Sequence, residues 1–306
     1  MIRPFVPADA PAYSALWNLI LGRKSTPASV LEEDERAVGL NRRWVLEEGE
    51  RVLGLAHLAA SPFAPPDSLY ALTMVDPAAR GQGRGEALWQ TLLAAAQAAG
   101  VRGLSSEVAD TDPQSLAWAE RRGFAVQFQR FASELDLLNF GAAAFAPDLA
   151  RVAAQGVTFA DLGGANAQQI DTYLNFVADR LTETPDLAGH PRWPLAEVAK
   201  LLHLDRAEAR PEWLILALNP KGEWLGTTAL LRYGDMAYNE FTATQPQARG
   251  RGLALPLKLE AIARAQAAGL SGMRTNNHSA NAPMLAVNRR LGFVPKAGKY
   301  ELYWSR

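Results

Sequence analysis

Two stretches of the 306-residue chain hold the residues whose types and spacing point to chemistry. Thr242 to Lys258 reads T-A-T-Q-P-Q-A-R-G-R-G-L-A-L-P-L-K, and Thr73 to Gln90 reads T-M-V-D-P-A-A-R-G-Q-G-R-G-E-A-L-W-Q. Each runs from an extended segment through a proline into an arginine-and-glycine loop and then a helix start. That order aims free backbone N–H groups at one point, and a pyrophosphate is the ligand such a point binds best. Glycine lets the backbone take positive φ and approach phosphate oxygens, and the helix adds its N-terminal partial charge. Gly81, Gly83 and Gly85 serve the first loop; Gly250 and Gly252, with small Ala254, serve the second. Aligning Arg80 with Arg249 gives an offset of 169 residues, at which Pro77 meets Pro246, Gly83 meets Gly252 and Leu88 meets Leu257. The chain therefore reads as two copies of one anion-binding module.

The elements that must position these loops follow from periodicity and punctuation. In the first copy, Ile2 to Phe5 is a short strand, and a helix with Tyr13, Leu16, Trp17, Ile20 and Leu21 on its apolar side follows. Residues 22–34 read as a loop, 43–46 and 52–60 as a hairpin, and 69–75 as the loop strand. A helix over 86–99 ends at Gly100, and 103–108 is a strand. A helix from about 112 to 122 stops at Gly123, and 124–137 supplies two closing strands. Residues 141–155 are alanine-rich and read as a partly helical linker. The second copy repeats the plan, with strands at 158–159, 213–218, 224–231, 237–244, 269–276 and 299–304. Its helices fall at 167–181, 195–204, 253–268 and 281–291. The expected division is 1–140, linker 141–155 and 156–306, an α/β chain with a mixed, mostly antiparallel twisted sheet flanked by helices in each half.

Composition narrows the classes of function. There is no cysteine, which excludes disulfides, thiolate metal sites and a cysteine nucleophile. The four histidines, His57, His190, His203 and His278, show no paired metal-ligand spacing, so no metal is expected. With 31 Lys and Arg against 32 Asp and Glu, no bulk basic field favours nucleic acid or anionic lipid. No signal-peptide pattern or long apolar run is present, and the cytoplasm is the default expectation.

V-D-P-A-A-R-G-Q-G-R-G and T-Q-P-Q-A-R-G-R-G-L-A resemble the [QR]-x-x-G-x-[GA] signature of the GNAT superfamily of acetyl-CoA-dependent N-acetyltransferases. D-P-Q-S-L-A-W-A-E-R-R-G-F and N-A-P-M-L-A-V-N-R-R-L-G-F resemble the family's later helix ending in Gly-Phe. The resemblance covers nearly the whole chain, twice, in a layout similar to tandem-domain members such as mycothiol synthase, whose substrate is not carried over. It implies two tandem GNAT domains and acetyl-CoA as acyl donor. The CoA-contacting positions it implies are Thr73, Met74, Val75, Arg80, Gly81, Gln82, Gly83, Arg84 and Gly85 in the first copy. In the second they are Thr242, Ala243, Thr244, Arg249, Gly250, Arg251, Gly252, Leu253 and Ala254, with Asn281 and Asn288 on the later helix. Asn281 also reads as a plain helix N-cap, with Asp112 in its place in copy one.

Acetyl transfer to an amine needs a base for the ammonium proton and a donor for the tetrahedral oxyanion. Counting by twos back from the loops, copy one shows Val75, Thr73, Ala71 and Leu69, and copy two shows Thr244, Thr242, Glu240 and Tyr238. Only the second row moves protons. Glu240 is therefore the expected general base, with Tyr238 beside it, and the first copy is expected to be non-catalytic and able to hold CoA. The alternative for Glu240 is an exposed strand residue or ion-pair partner. The resemblance also implies a general-acid tyrosine four residues before the Gly-Phe glycine, where this chain has Ala119 and Asn288; Tyr300, Tyr303 or Tyr238 are the phenols that could replace it. His278 reads as a surface residue near the acyl end, and Asp186, His190 and Trp193 lie in a longer loop that could shape an acceptor pocket. The expected reaction is direct attack of a small-molecule primary amine on acetyl-CoA. Two alternatives stand beside it: a non-catalytic acyl-CoA-binding protein, and acetylation of a protein amine.

Overall fold

A computed structural model describes residues 1–22, 24–61, 64–65, 67–187 and 189–305; the Asp186 side chain lies outside the described set. The chain divides into two compact units, Met1–Gln129 with Lys299–Arg306, and Arg130–Gly298. This differs from the expected cut at 140–156, because two strands carry the chain from one unit into the other.

In chain order the first unit holds β1 (Ile2–Pro4), α1 (Ala10–Leu21), α2 (Pro27–Arg36), β2 (Asn41–Glu48), β3 (Arg51–Ala59), β4 (Ser68–Val75), α3 (Arg84–Ala98), β5 (Gly103–Ala109) and α4 (Pro113–Glu120). β6 (Ala125–Asp136) begins there and ends in the second unit. The second unit continues with α5 (Ala146–Ala153), β7 (Thr158–Asp161), α6 (Ala167–Leu181), α7 (Leu195–Leu201), β8 (Leu214–Leu218) and β9 (Trp224–Tyr233). β10 (Met236–Thr244), α8 (Ala254–Ala267), β11 (Gly272–His278) and α9 (Ala282–Arg290) follow, and β12 (Val294–Ser305) returns to the first unit.

In each unit the central two strands are parallel and the rest antiparallel, the pattern expected of one crossover. The parallel ladders are short. β4 pairs with β5 only over Ser68–Tyr70 and Gly103–Ser105, and β10 with β11 only over Met236–Tyr238 and Gly272–Arg274. Past those residues the loop strands run on without that neighbour, leaving a split in each sheet that opens toward its arginine-and-glycine loop. The outer strand of each unit comes from the far end of the other repeat. Lys299–Ser305 of β12 pair with β5, and Arg130–Asp136 of β6 pair with β11.

Packing repeats as well. α3 buries Leu88, Trp89 and Leu92 against Leu69, Ala71 and Val75, while Tyr13 and Leu16 of α1 cover Leu55, Leu72 and Met74 on the other face. In the second unit α8 packs Leu255, Leu257 and Ile262 on Ile215, Leu230 and Ala237, and α6 with α7 covers Leu214, Leu216, Ala229 and Phe241. A Cβ on Gly54 would meet the side chain of Leu88 and the carbonyl of Met74; one on Gly226 would meet Leu257 and the carbonyl of Ala243. The two glycines admit the helix to the sheet in the same way, which aligns the repeats independently of their loops.

Three expectations need correction. α2 stands where a loop was expected: Thr26 caps it with a reciprocal bond to Ser29, and Pro27 occupies its first position. Its acidic, Pro-bearing sequence hid the helix. Residues 124–137 supply one long strand, β6, rather than two. The 141–155 segment is α5 and its approach, and Phe145 and Val152 are buried in the second unit's core.

Candidate active site

The two loops share a backbone course. A one-turn helix at Pro77–Ala79 or Pro246–Ala248 leads into glycines with φ of +79° and +77° at Gly81 and Gly83, and of +74° and +76° at Gly250 and Gly252. Such angles favour glycine, and α3 and α8 begin one and two residues later. In the first unit a cavity of about 1080 Å³ runs from Gly81, Gly83 and Gly85 along Thr73, Met74 and Val75 into the split beside Glu107. Leu19, Ile20 and Leu21 also line it. In the second unit the guanidinium of Arg151, on α5, lies so close that a Cβ on Gly252 would be 2.4 Å from it.

The loop arginines are tied to protein partners. Arg80 pairs with Asp112 at 3.3 Å, Arg84 with Glu48 at 2.7 Å, and Arg249 with Glu183, while Arg251 donates to Gln155 at 3.0 Å. Asn281 caps α9 through the Met284 N–H, and Asp112 caps α4 through the Ser115 N–H. Asn288 is buried and donates to Asn277 at 2.8 Å, which in turn donates to Ser133 at 2.9 Å.

The strand entering the second loop differs from its counterpart by one residue. β4 pairs with β3 in unbroken register, from Gly54–Val75 to Ala59–Tyr70. β10 pairs Thr244 with Gly226, Thr242 with Thr228 and Phe241 with Ala229, then jumps to Asn239 with Leu230. Glu240 is thus the extra residue of a β-bulge. By strand register Tyr238 matches Tyr70, Asn239 matches Ala71, and Glu240 has no counterpart. The bulge breaks the alternation on which counting by twos relies. Thr242 bonds Thr228 at 2.8 Å and faces α8 together with Asn239, rather than sharing a row with Glu240 and Tyr238.

Glu240 is partly covered, and burial pushes its carboxyl up to about 7. Its charge raises the pKa of the neighbouring Tyr233 phenol after burial does, and the Tyr238 ring meets Tyr233 edge-on at 5.8 Å. The Tyr233 hydroxyl lies 3.4 Å from Nε2 of His203, a residue with φ of +55°. Glu240 and Tyr238 therefore gather around Tyr233. Sequence reasoning missed Tyr233 and His203, which sit at the end of β9 and past α7 with no motif to mark them.

Other expected participants are placed elsewhere. Tyr300 and Tyr303 fall in the first unit, where the Tyr303 ring fills the space above Gly103. Ala119 is core. His278 is buried, not a surface residue, and its Nδ1 accepts the Ala280 N–H. Trp193 packs on the α6–α7 core and His190 is half-buried; the Asp186 side chain lies outside the described residues. Among the described residues no cluster could hold a metal ion, and no helix is long and apolar enough to cross a membrane.

Repeat, split sheet and loop geometry together define the class. Residues 11–124 match the acetyltransferase (GNAT) family and residues 147–275 the acetyltransferase (GNAT) domain. The chain belongs to the GNAT acetyltransferase family and carries two GNAT domains in tandem. Its fold is similar to that of a GCN5-related N-acetyltransferase from Sphaerobacter thermophilus (TM-score 0.70, 18% identity, covering 100% of this chain and 95% of that one). A tandem GNAT protein from the clavulanic acid biosynthesis pathway is also similar (TM-score 0.62, 19% identity, 100% and 98% covered). No curated protein sequence matches the chain. The family typically uses acetyl-CoA.

Proposed function

We propose that the chain transfers acetyl from acetyl-CoA to a small-molecule primary amine, with the second unit performing the transfer and the first holding coenzyme without reacting. The observation that carries this reading is the Glu240 carboxyl, bulged out of β10 beside the split and raised by burial to about 7. A general base works best when its pKa lies near the working pH, so Glu240 can accept the ammonium proton and leave the amine neutral. Beyond Tyr238 the β10–β11 ladder stops, so loop-strand amides are available to meet an oxyanion. Gly250, Gly252 and the start of α8 would hold the pyrophosphate, with Arg249 and Arg251 near it and Thr242–Thr244 beside the pantetheine arm. Bound acetyl-CoA supplies the activated thioester. The leaving thiol, with a pKa of about 8.5, departs without an obligatory acid, which suits a site with Asn288 where the resemblance led one to expect tyrosine. In the first unit the cavity beside Gly81, Gly83 and Thr73–Val75 supports coenzyme binding, while Leu72 and Met74 on the α1 face offer no proton acceptor.

The test is thiol release from acetyl-CoA with a panel of primary amines, comparing the wild type with Glu240→Gln. Turnover by the wild type and a fall of about 10² to 10⁴ in the variant are expected, the usual range for losing a general base. Binding without turnover across the panel supports the acyl-CoA-binding alternative instead.

A further inference from the structure

The second unit buries a lysine that the proposed chemistry does not use. Lys258, on α8, is 1% exposed, and among the described residues no carboxylate pairs with it. Its Nζ donates to Oδ1 of Asn239 and lies 5.2 Å from the ring centre of Phe293. Asn239 immediately precedes the bulged Glu240, and its side chain ties the bulge from both strands. Its Nδ2 donates to Thr228 Oγ1 at 2.8 Å and to the Ala229 carbonyl at 3.1 Å, and its Oδ1 accepts from Thr242 Oγ1 at 3.2 Å. The Asn239 carbonyl accepts from Thr275 at 3.0 Å, across the end of the parallel ladder.

The first unit serves as an internal control. Strand register matches Asn239 with Ala71 and Thr228 with Ala56, and the shared contacts of Leu88 and Leu257 match Lys258 with Trp89. Trp89 meets Phe124 edge-on at 5.5 Å, where Lys258 meets Phe293. The unit with an unbroken loop strand has alanine, alanine and tryptophan; the unit with the bulge has asparagine, threonine and lysine. A buried amine with no carboxylate to pair with costs stability that a tryptophan at the same place does not. Polar replacement and bulge occur together, at the one strand that carries Glu240.

We propose that Lys258, acting through Asn239, is a positioning residue that fixes the β10 bulge and with it the direction of the Glu240 carboxylate. The proposal rests on the reading of Glu240 as base, and its test separates the two. Lys258→Met removes the donor at similar volume. Lys258→Met with Asn239→Leu removes both partners, so that neither is left facing an unpaired mate; Thr228 and Thr242 still bond each other, and circular dichroism establishes that each variant is folded before it is titrated. The Glu240 carboxylate is titrated by carbon-13 NMR in the full-length wild type and both variants, alongside turnover of acetyl-CoA with the best amine of the panel. In both variants the Glu240 midpoint is expected to fall by more than one unit from about 7, with kcat down at least tenfold and KM for acetyl-CoA within threefold. A midpoint unchanged in either folded variant overturns the proposal, whether or not kcat falls, because the lysine then does not act through Glu240. If Glu240→Gln turns over like wild type, the base assignment fails on its own, while a Lys258-dependent midpoint still stands.

Discussion

Glu240 was legible as the ionisable residue on the second loop strand, but its bulge was not. A one-residue insertion becomes visible only when the partner strand is laid beside it, since periodicity alone cannot tell a bulge from a shift of face. Lys258 did leave a signal, a charge among Leu255, Leu257, Leu259 and Ile262 on the apolar stripe of α8. The raised pKa of Glu240 has a thermodynamic consequence of definite sign. The folded chain holds that proton more tightly than the unfolded chain, so this stability is present below the ordinary carboxylate value and is lost as pH rises through about 7. Glu240→Gln escapes the loss. At pH 8 denaturant unfolding should find the variant more stable by about 2–3 kcal/mol, and at pH 4 the difference should vanish. Parallel stability curves would show that the carboxylate is solvated.

At the scale of elements, both loops and most strands and helices followed from glycines, prolines and apolar spacing. α2 did not, because its exposed acidic face carries little period, and the strand exchange did not, because β12 and β6 read alike in either partnership. The loop glycines make separate predictions. A Cβ at Gly83 meets nothing within 4 Å, so Gly83→Ala should cost about 1–2 kcal/mol through positive φ alone. At Gly252 the same methyl strikes Arg151 as well, and the cost in thermal unfolding should be larger. Calorimetry with acetyl-CoA on each variant should lose one binding event at a time. Retention of both in Gly252→Ala would mean that the second loop does not hold coenzyme.

For the whole molecule, the chain's last strand belongs to its first unit. Leu302 and Trp304 join the core of Leu88 and Leu104, so removing residues 299–306 should speed hydrogen exchange in β5 and α3. Peptides from β8 and β9 should exchange as in wild type. Uniform acceleration would contradict the two-unit division. His57, buried beside Arg43 and lowered to about 3, gives the first unit a pH signature of its own. It is held neutral when folded, so that stability is present above the ordinary histidine value and is lost progressively as pH falls from about 6.5 towards 3. His57→Phe should flatten that decline in unfolding midpoints, whereas an unchanged slope would mean the ring is solvated. The division of labour between the units is tested most directly by the pH dependence of kcat/KM for acetyl transfer, wild type against Glu240→Gln. The wild type should lose activity below an acid limb near 7, and the variant should show a rate lower by at least a hundredfold with no such limb. A variant that keeps both the limb and the rate would place the chemistry elsewhere in the chain.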